Sequence, residues 1–538
     1  MRKRKLGLLS VVLATAILLT GCASMIGEMA QKLGYGTAHY SDMEYTRPDV
    51  AAIKQIMAET CILASKETDP EAMMEGVYAF YEVYDSFYTN YFLANIRYSA
   101  DLTDLYWEKE YNFCAENAAE ADAALEEIYY ALADSPIREE LEQEQYFGHG
   151  FFDDYEGESI WDETFMGLLE QEAQLQSQYY ALYNQTMEEE YDAEAFYEGS
   201  GAQMAALLVE LVALRQQIAA YIGYESYPAL AYDMYHSRDY TPEQTERYLE
   251  SVGEELGQLY RSIKTSRVWD LYEDYCSEEQ TFAYVKTAAK AMGGEIREAF
   301  DLLERNGLYD ITYGENKYNS SFACYLWSYN EPFVFMSPYL DPADKLIFAH
   351  EFGHFTNDYL CYGSFAGTDV AEVHSQGMEF LSLCYGDADS VLEEYKLADS
   401  LCVMTEQAAY ALFEQRLYSL PERALTVEKV QSLYKNVSLA FGLDSGDWDS
   451  RDYVLIGHLY TEPMYMASYV VSCDVAFQIY QKEKAEAGAG LEVYRNCLYS
   501  TDSYLLNFTE TFHLESPFEQ GRLESIRETL ETALKDYL

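Results

Sequence analysis

The sequence predicts a mainly α-helical protein with one short island of strand, and three observations lead there. From about residue 49 to 140, apolar and aromatic residues recur at three- and four-residue steps, as in Val77, Phe80, Tyr81, Tyr84, Phe87 and Tyr91, which is the spacing of one helix face. Helix-start signals recur further on: Thr241-Pro242-Glu243-Gln244 reads as a capping box, and Asp341-Pro342 followed by Asp344 reads as an N-cap, a first-turn proline and a first-turn acid. Only about 310 to 340, rich in Tyr, Phe and Val between turn signals, reads as strand.

Taken in order, the chain opens on the basic run Arg2-Lys3-Arg4-Lys5 and a short apolar stretch from Leu6 to Leu18. Leu19-Thr20-Gly21-Cys22 then resembles a bacterial lipobox, which implies cleavage before Cys22 and a lipid on that cysteine. The expectation is a lipoprotein signal peptide over 1–21, a polar tether over 22–48, and an extracytoplasmic body lipid-anchored to a bacterial cell membrane. No later segment reads as long and apolar enough to cross a bilayer. A first helical lobe is expected over 49–198, interrupted by a loop at Tyr146-Phe147-Gly148-His149-Gly150-Phe151 and resuming from about Trp161. Glu198-Gly199-Ser200-Gly201 is the best boundary, and 199–538 forms the second unit.

Composition excludes some functions. A net charge of −58 argues against nucleic-acid binding, which needs basic contacts to phosphate. It also works against close approach to anionic lipid, so an anchor would have to hold the body there. Without Cys22 the cysteines number nine, irregularly spaced and with no C-x-x-C pair, which is not a disulfide framework. With 538 residues and 49% hydrophobic content, the chain can bury a large core in two or three lobes.

The chemistry concentrates at His350-Glu351-Phe352-Gly353-His354. Two histidines four apart share a helix face, where they can ligate zinc, and the glutamate between them can act as base on a zinc-activated water. Gly353 costs helix stability relative to alanine, so another element is expected to pack closely there. A third ligand should lie beyond His354. On a second helix, capped by Thr368 or Asp369, Glu372 and Glu379 share a face. Glu372 is assigned as ligand and Glu379 as acceptor for a ligand histidine's free N–H. His374 lies on the opposite side of that helix and is a poorer ligand. Site type favours one Zn2+ per chain, although manganese and cobalt also suit such ligands. His39, His149, His236 and His513 show no partner pattern.

These residues resemble the thimet oligopeptidase and oligoendopeptidase F group of zinc metallopeptidases. His350–His354 matches its H-E-x-G-H, and Glu372-Val373-His374-Ser375-Gln376-Gly377-Met378-Glu379-Phe380-Leu381 its next helix. Phe322–Leu326 and Pro332–Met336 resemble the strands before the motif. Leu214–Ala219 with Ile222–Tyr227 and Arg238–Glu243 resembles the start of its catalytic domain, and His458-Leu459-Tyr460-Thr461-Glu462-Pro463-Met464-Tyr465-Met466-Ala467-Ser468-Tyr469 its late H-x-Y-x-x-P-x-Y-x-x-x-Y segment. The resemblance spans about residues 200 to 500. It implies two helical lobes around a deep substrate cleft, a small sheet beside the zinc helix, and a sheet edge that pairs with a bound peptide. It also implies that His458, Tyr465 and Tyr469 donate to the substrate and the developing oxyanion. The chain departs from the pattern in a shorter spacer between His354 and Glu372, in Ser320-Ser321 for paired glycines, and in Asn357 where a further histidine is common.

The sequence thus reads as a lipid-anchored zinc metalloendopeptidase for short unfolded peptides, with Glu351 as general base. A zinc exopeptidase (carboxypeptidase or dipeptidyl carboxypeptidase) and an inactive peptide-binding lipoprotein are the alternatives. Retention of Glu351 speaks against the last, since binding alone has no use for a base. The sequence assigns no oligomeric state.

Overall fold

The computed structural model describes residues 36–538 except 144, 156, 158–161, 189–192, 364–365 and 445–447. The signal peptide, Cys22 and the first part of the tether lie outside the described residues. The fold is mainly α, with one three-stranded sheet among those residues.

The first lobe is built on α1 (Val50–Ala64), α2 (Pro70–Ala100) and α3 (Leu105–Ala133), which pack on one another. Aspartates start all three: Asp49 accepts from the Ala52 N–H, Asp69 from Glu71, and Asp104 from Tyr106 and Trp107. The α2 residues at helical spacing, Val77, Phe80, Tyr81, Tyr84, Phe87 and Tyr91, are buried as their periodicity predicts. Polar groups enter this core in pairs: the Tyr84 and Tyr88 hydroxyls donate to Asp122 at 2.8 and 2.6 Å. The interruption near 148 is a turn, with Gly148 and Gly150 at φ +87° and +78°.

Packing runs across the boundary expected at Gly199. α4 (Glu163–Glu188) packs on α5 (Ser200–Tyr221), and α6 (Pro242–Ile263) starts with the predicted capping box between Thr241 and Gln244. One expectation is corrected here. The helical stretch Ala193–Tyr221 is long and apolar enough by length and composition to cross a membrane, although half of its apolar window is buried inside the protein. It passes that test because it is a core helix. Leu208, Leu211, Val212 and Ile218 are buried, and Arg215 on it is fully enclosed and paired with Glu172 at 2.6 Å.

After α7 (Glu278–Met292) and α8 (Gly294–Asn306) come the strands β1 (Tyr309–Asp310), β2 (Ser321–Leu326) and β3 (Glu331–Met336). The order is β1-β3-β2; β1 runs parallel to β3, with Tyr309 opposite Val334, and β2 antiparallel, with Phe322 opposite Phe335. β3 is buried along its length, and β2 is an edge strand that also contacts α2. Behind the sheet lies α9 (Asp344–Cys361), followed by α10 (Thr368–Tyr385), α11 (Ser390–Tyr418), α12 (Val427–Phe441) and α13 (Met466–Ala485). α10 is the hub, packed between α9 and α13. The nine described cysteines are all free.

Two helix starts differ from expectation. α9 begins at Asp344, not Pro342, because Asp341 closes a tighter turn by accepting from the Ala343 N–H at 2.8 Å, and the Asp344 carboxylate accepts from Tyr339 and Leu340. α10 has Gly367 before its first residue and no side-chain cap. Asp369 is drawn instead to Arg238 and Tyr240. Gly367 is needed there, since a Cβ would fall 1.9 Å from the Ser503 carbonyl oxygen. The trimmed spacer before α10 is thus pinned to the chain near 502.

Candidate metal centre and active site

The site forms where α9 and α10 lie almost in contact. At Gly353 a Cβ would meet the His374 carbonyl oxygen at 2.6 Å and the Ser375 Cα at 2.7 Å. The third-ligand helix is therefore the close neighbour that the glycine implied. This approach carries Glu372 to the two histidines of α9. One ligand atom from each of His350, His354 and Glu372 lies within 4.8 Å of the others. The Nε2 of His350 stands 3.5 Å from Glu372 Oε2. Two ligand atoms on one tetrahedral zinc would be about 3.3 Å apart, given bonds of about 2.0 Å.

Two of these side chains, His350 and Glu372, are held by hydrogen-bond partners. His350 Nδ1 meets Glu379 Oε1 at 2.8 Å, which turns Nε2 toward Glu372. Glu379 Oε2 takes the Lys396 ammonium at 2.6 Å, and Lys396 is itself buried. Glu372 accepts from the Tyr465 hydroxyl at 2.7 Å on Oε1 and from Ser375 Oγ at 3.0 Å on Oε2. His374 points away, with Nε2 at 3.1 Å from the Cys497 carbonyl. Asn357 donates to the Leu498 carbonyl at 2.9 Å and so ties α9 to the segment beyond α13.

Electrostatics at the site call for a cation. Burial disfavours a charged His350, yet its contact with Glu379 and the negative charges of Glu372, Glu379 and Glu351 outweigh this and push it up to about 9. Burial raises the Glu351 carboxyl to about 7, and Glu372 and Glu379 add to the shift. Burial also lowers His354 to about 3, with the charge on His350 helping. Burial opposes ionisation of Glu379, but Lys396 and His350 hold it below the usual carboxylate range. Glu351 Oε2 is buried with no hydrogen-bond partner in the protein. Three carboxylates around one imidazole, two histidine nitrogens and an orphaned carboxylate oxygen make a donor set that fits a divalent zinc-like ion.

Opposite the metal ligands stand the three late residues. The His458 ring lies 5.7 Å from Tyr465 and 5.9 Å from Tyr469, and the two phenols are 5.1 Å apart, centroid to centroid. Burial lowers His458 to about 4, so it is neutral at physiological pH, and its Nε2 lies 3.3 Å from Glu462 Oε2. Both phenols are raised well above their ordinary value, first by burial and then by the charge of Glu372. The fold therefore brings together His350, Glu351, His354, Glu372, Glu379, His458, Tyr465 and Tyr469, while Cys22 lies outside the described residues. Sequence reasoning missed Lys396, Ser375 and the buried pair His236 and Arg238. Ser375, three residues after Glu372 on one helix, was within reach of a spacing argument; Arg238 stood in a matching segment, but its partners, like those of Lys396 and His236, come from distant parts of the chain that spacing does not report.

Comparison with known proteins bears on the N-terminal part and on the fold. Residues 40–159 match the model of the Peptidase M3 N-terminal domain. No curated protein matches the chain. Among solved structures, one at 3.1 Å described as an oligoendopeptidase F has 19% identity and a TM-score of 0.78, covering 93% of this chain and 99% of its own. PZ peptidase A with an inhibitor has 18% identity and a TM-score of 0.77, covering 92% and 99%. A structure described as an oligoendopeptidase F from Bacillus anthracis strain Ames has 20% identity and a TM-score of 0.74, covering 93% and 99%. The N-terminal match thus covers residues 40–159, and the solved structures share their fold with this chain over more than nine-tenths of its length.

Proposed function

We propose that this chain is a zinc metallopeptidase of the M3 group, an endopeptidase that hydrolyses short unfolded peptides at the site beside α9. The observation that carries the reading is the meeting of His350, His354 and Glu372 ligand atoms within 4.8 Å, next to the buried, unpartnered carboxylate oxygen of Glu351. Zinc held by those three residues would supply Lewis acidity, acidifying a water and polarising the scissile carbonyl.

The chain's own groups account for the rest. Glu351, buried beside the three ligand candidates with its Oε2 unpartnered, is placed to take a proton from the water and to hand it to the leaving amine. Glu379 fixes the His350 tautomer and ring orientation, and Lys396 fixes Glu379. Tyr465 and Tyr469 remain protonated across the working range, so both can donate to an oxygen that gains negative charge. Neutral His458 offers one N–H and brings no charge that would compete with the metal. The edge strand β2 gives the peptide backbone a strand to pair with, its first three residues only half buried. Strand pairing needs an extended substrate, which favours unfolded peptides over folded proteins.

The lipobox reading adds a location, in which Cys22 carries the lipid that tethers the enzyme to the outer side of a bacterial cell membrane. Replacing Cys22 with serine should release the protein from the membrane fraction; a variant that stays there in full would refute the anchor.

Turnover of an end-capped, internally quenched peptide by zinc-loaded protein starting after Cys22 tests the activity. Cleavage that a chelator abolishes supports the endopeptidase. Cleavage of uncapped peptides alone would move the assignment to an exopeptidase, and binding without turnover would move it to a peptide carrier.

A further inference from the structure

Glu372 and the Tyr465 hydroxyl that bonds to it stand on elements far apart in the chain, and one buried side chain reaches both elements. Arg238 follows the π-helical turn Ala231–Tyr235, and its side chain is wholly enclosed. Toward α10, its Nε faces Asp369 Oδ1 at 3.4 Å, three residues before Glu372. Toward the Tyr465 loop, its Nη2 donates to the Met464 carbonyl at 2.9 Å and to Ser468 Oγ at 2.8 Å. These two acceptors flank Tyr465 in sequence. The guanidinium lies 4.3 Å over the Tyr232 ring, and Tyr240 shares the Asp369 carboxylate at 2.5 Å. A neighbour extends the bridge: His236 Nε2 meets the Pro463 carbonyl at 2.9 Å and Nδ1 faces the Thr368 hydroxyl at 3.5 Å.

Both ends of this bridge carry backbone strain. Ser237, between His236 and Arg238, has φ +49°, and Met464, just before Tyr465, has φ +66°. A non-glycine residue in the left-handed region persists only where its surroundings hold it. At Met464 those surroundings include Arg238 on its own carbonyl and His236 on the carbonyl before it. The fork of the guanidinium suits the task, since a lysine ammonium cannot present donors in two fixed directions.

We propose that Arg238 is a positioning residue for Tyr465. It ties the Met464 turn to the first turn of α10 and so fixes where the phenol stands relative to Glu372. It touches neither substrate nor metal ligand, and its effect on turnover passes through Tyr465. The turnover argument rests on the metallopeptidase reading above; the positional one does not.

The test compares Arg238→Lys and the milder Ser468→Ala, alone and combined with Tyr465→Phe, in the zinc-loaded enzyme. Expected for Arg238→Lys is a fall in kcat of about 10- to 100-fold with KM changed less than about threefold, the pattern of a lost transition-state interaction. In the Tyr465→Phe background the same change should cost less than about threefold more, because residues that act as one unit are non-additive. Multiplying losses, or a loss confined to KM, would overturn the proposal. A second readout needs no activity: 3-fluorotyrosine placed at position 465 and observed by fluorine NMR. The parent should give one narrow line that shifts or broadens in Arg238→Lys and in Ser468→Ala. An unchanged line in the folded variants would overturn the proposal even if the protein cleaved no peptide, whereas a moved line with no turnover in the parent would refute the peptidase reading alone. Should Arg238→Lys not fold, Ser468→Ala decides both readouts.

Discussion

Gly353 sits so close to the backbone of Ser375 that a Cβ at the glycine would come within 2.7 Å of the Ser375 Cα. This approach sets the separation of the two ligand-bearing helices, so alanine at 353 makes a sharp test. As a helix residue, alanine would gain about 1 kcal/mol over glycine. Against this stands a clash with main-chain atoms that cannot rotate away, and overpacking of that kind costs about 1–3 kcal/mol. Gly353→Ala should therefore lower the thermal midpoint of the metal-free protein and weaken zinc binding by moving Glu372 from the histidines. An unchanged or raised midpoint with unaltered zinc affinity would mean that α10 is free to recede.

Glu351→Gln separates the base from the ligands. The carboxylate is buried, and the ligand atoms come from three other residues. Zinc content should stay at one per chain while kcat falls by about 10²- to 10⁴-fold, the range for a lost general base. Zinc lost in step with activity would place Glu351 among the ligands instead.

The fold class, and the three residues whose ligand atoms the fold gathers, could both be read from local spacing. Periodicity in α2 located its buried face, the capping box located the start of α6, and an i, i+4 histidine pair needs only a helix to share a face. Gly353 even reported a neighbour through its poor helix propensity. What spacing could not report is which distant chain segment supplies a contact. Lys396 reaches Glu379 from α11, and Arg238 reaches Asp369 and Met464 from a turn before α6. Asp369 looked like a cap because aspartates often cap helices, and only the fold reveals that two buried partners claim its carboxylate. By length and composition alone 193–221 would pass for a spanning segment, and the enclosed ion pair of Arg215 with Glu172 marks it as a core helix in a way that mean hydropathy does not.

The Lys396–Glu379–His350 chain gives a third expectation. Removing Glu379 frees the His350 ring from its 2.8 Å contact, and loss of such an outer partner typically lowers metal affinity about 10- to 100-fold. Glu379→Ala should show that loss in a zinc competition titration. Lys396→Met leaves Glu379 buried without its cation, and breaking one side of a buried pair costs about 3–5 kcal/mol. Combining Lys396→Met with Glu379→Gln should recover part of that stability, since Glu379 then leaves no uncompensated charge, while Asp399, 3.6 Å from the Lys396 ammonium, loses its cation in both variants. A double variant less stable than Lys396→Met alone would refute this account of the pair.

His236 supplies a pH dependence whose sign is fixed. Burial, aided by the charge on Arg238, lowers it well below its ordinary value of 6.5, so it is neutral in the fold. In the unfolded chain it takes up a proton near pH 6.5. Below that pH the unfolded state binds a proton that the native state does not, and stability falls as the medium is acidified. The slope is about 1.4 kcal/mol per pH unit for one such group, and it vanishes above pH 6.5. His236→Gln keeps an N–H for the Pro463 carbonyl but cannot titrate. Between pH 6.5 and 5 the parent should therefore lose about 2 kcal/mol more than the variant in urea unfolding, with the many carboxylates cancelling between the two. Parallel losses in both proteins would show that His236 is protonated in the native state, where the Pro463 carbonyl and a charged imidazole N–H would have to offset the repulsion from Arg238.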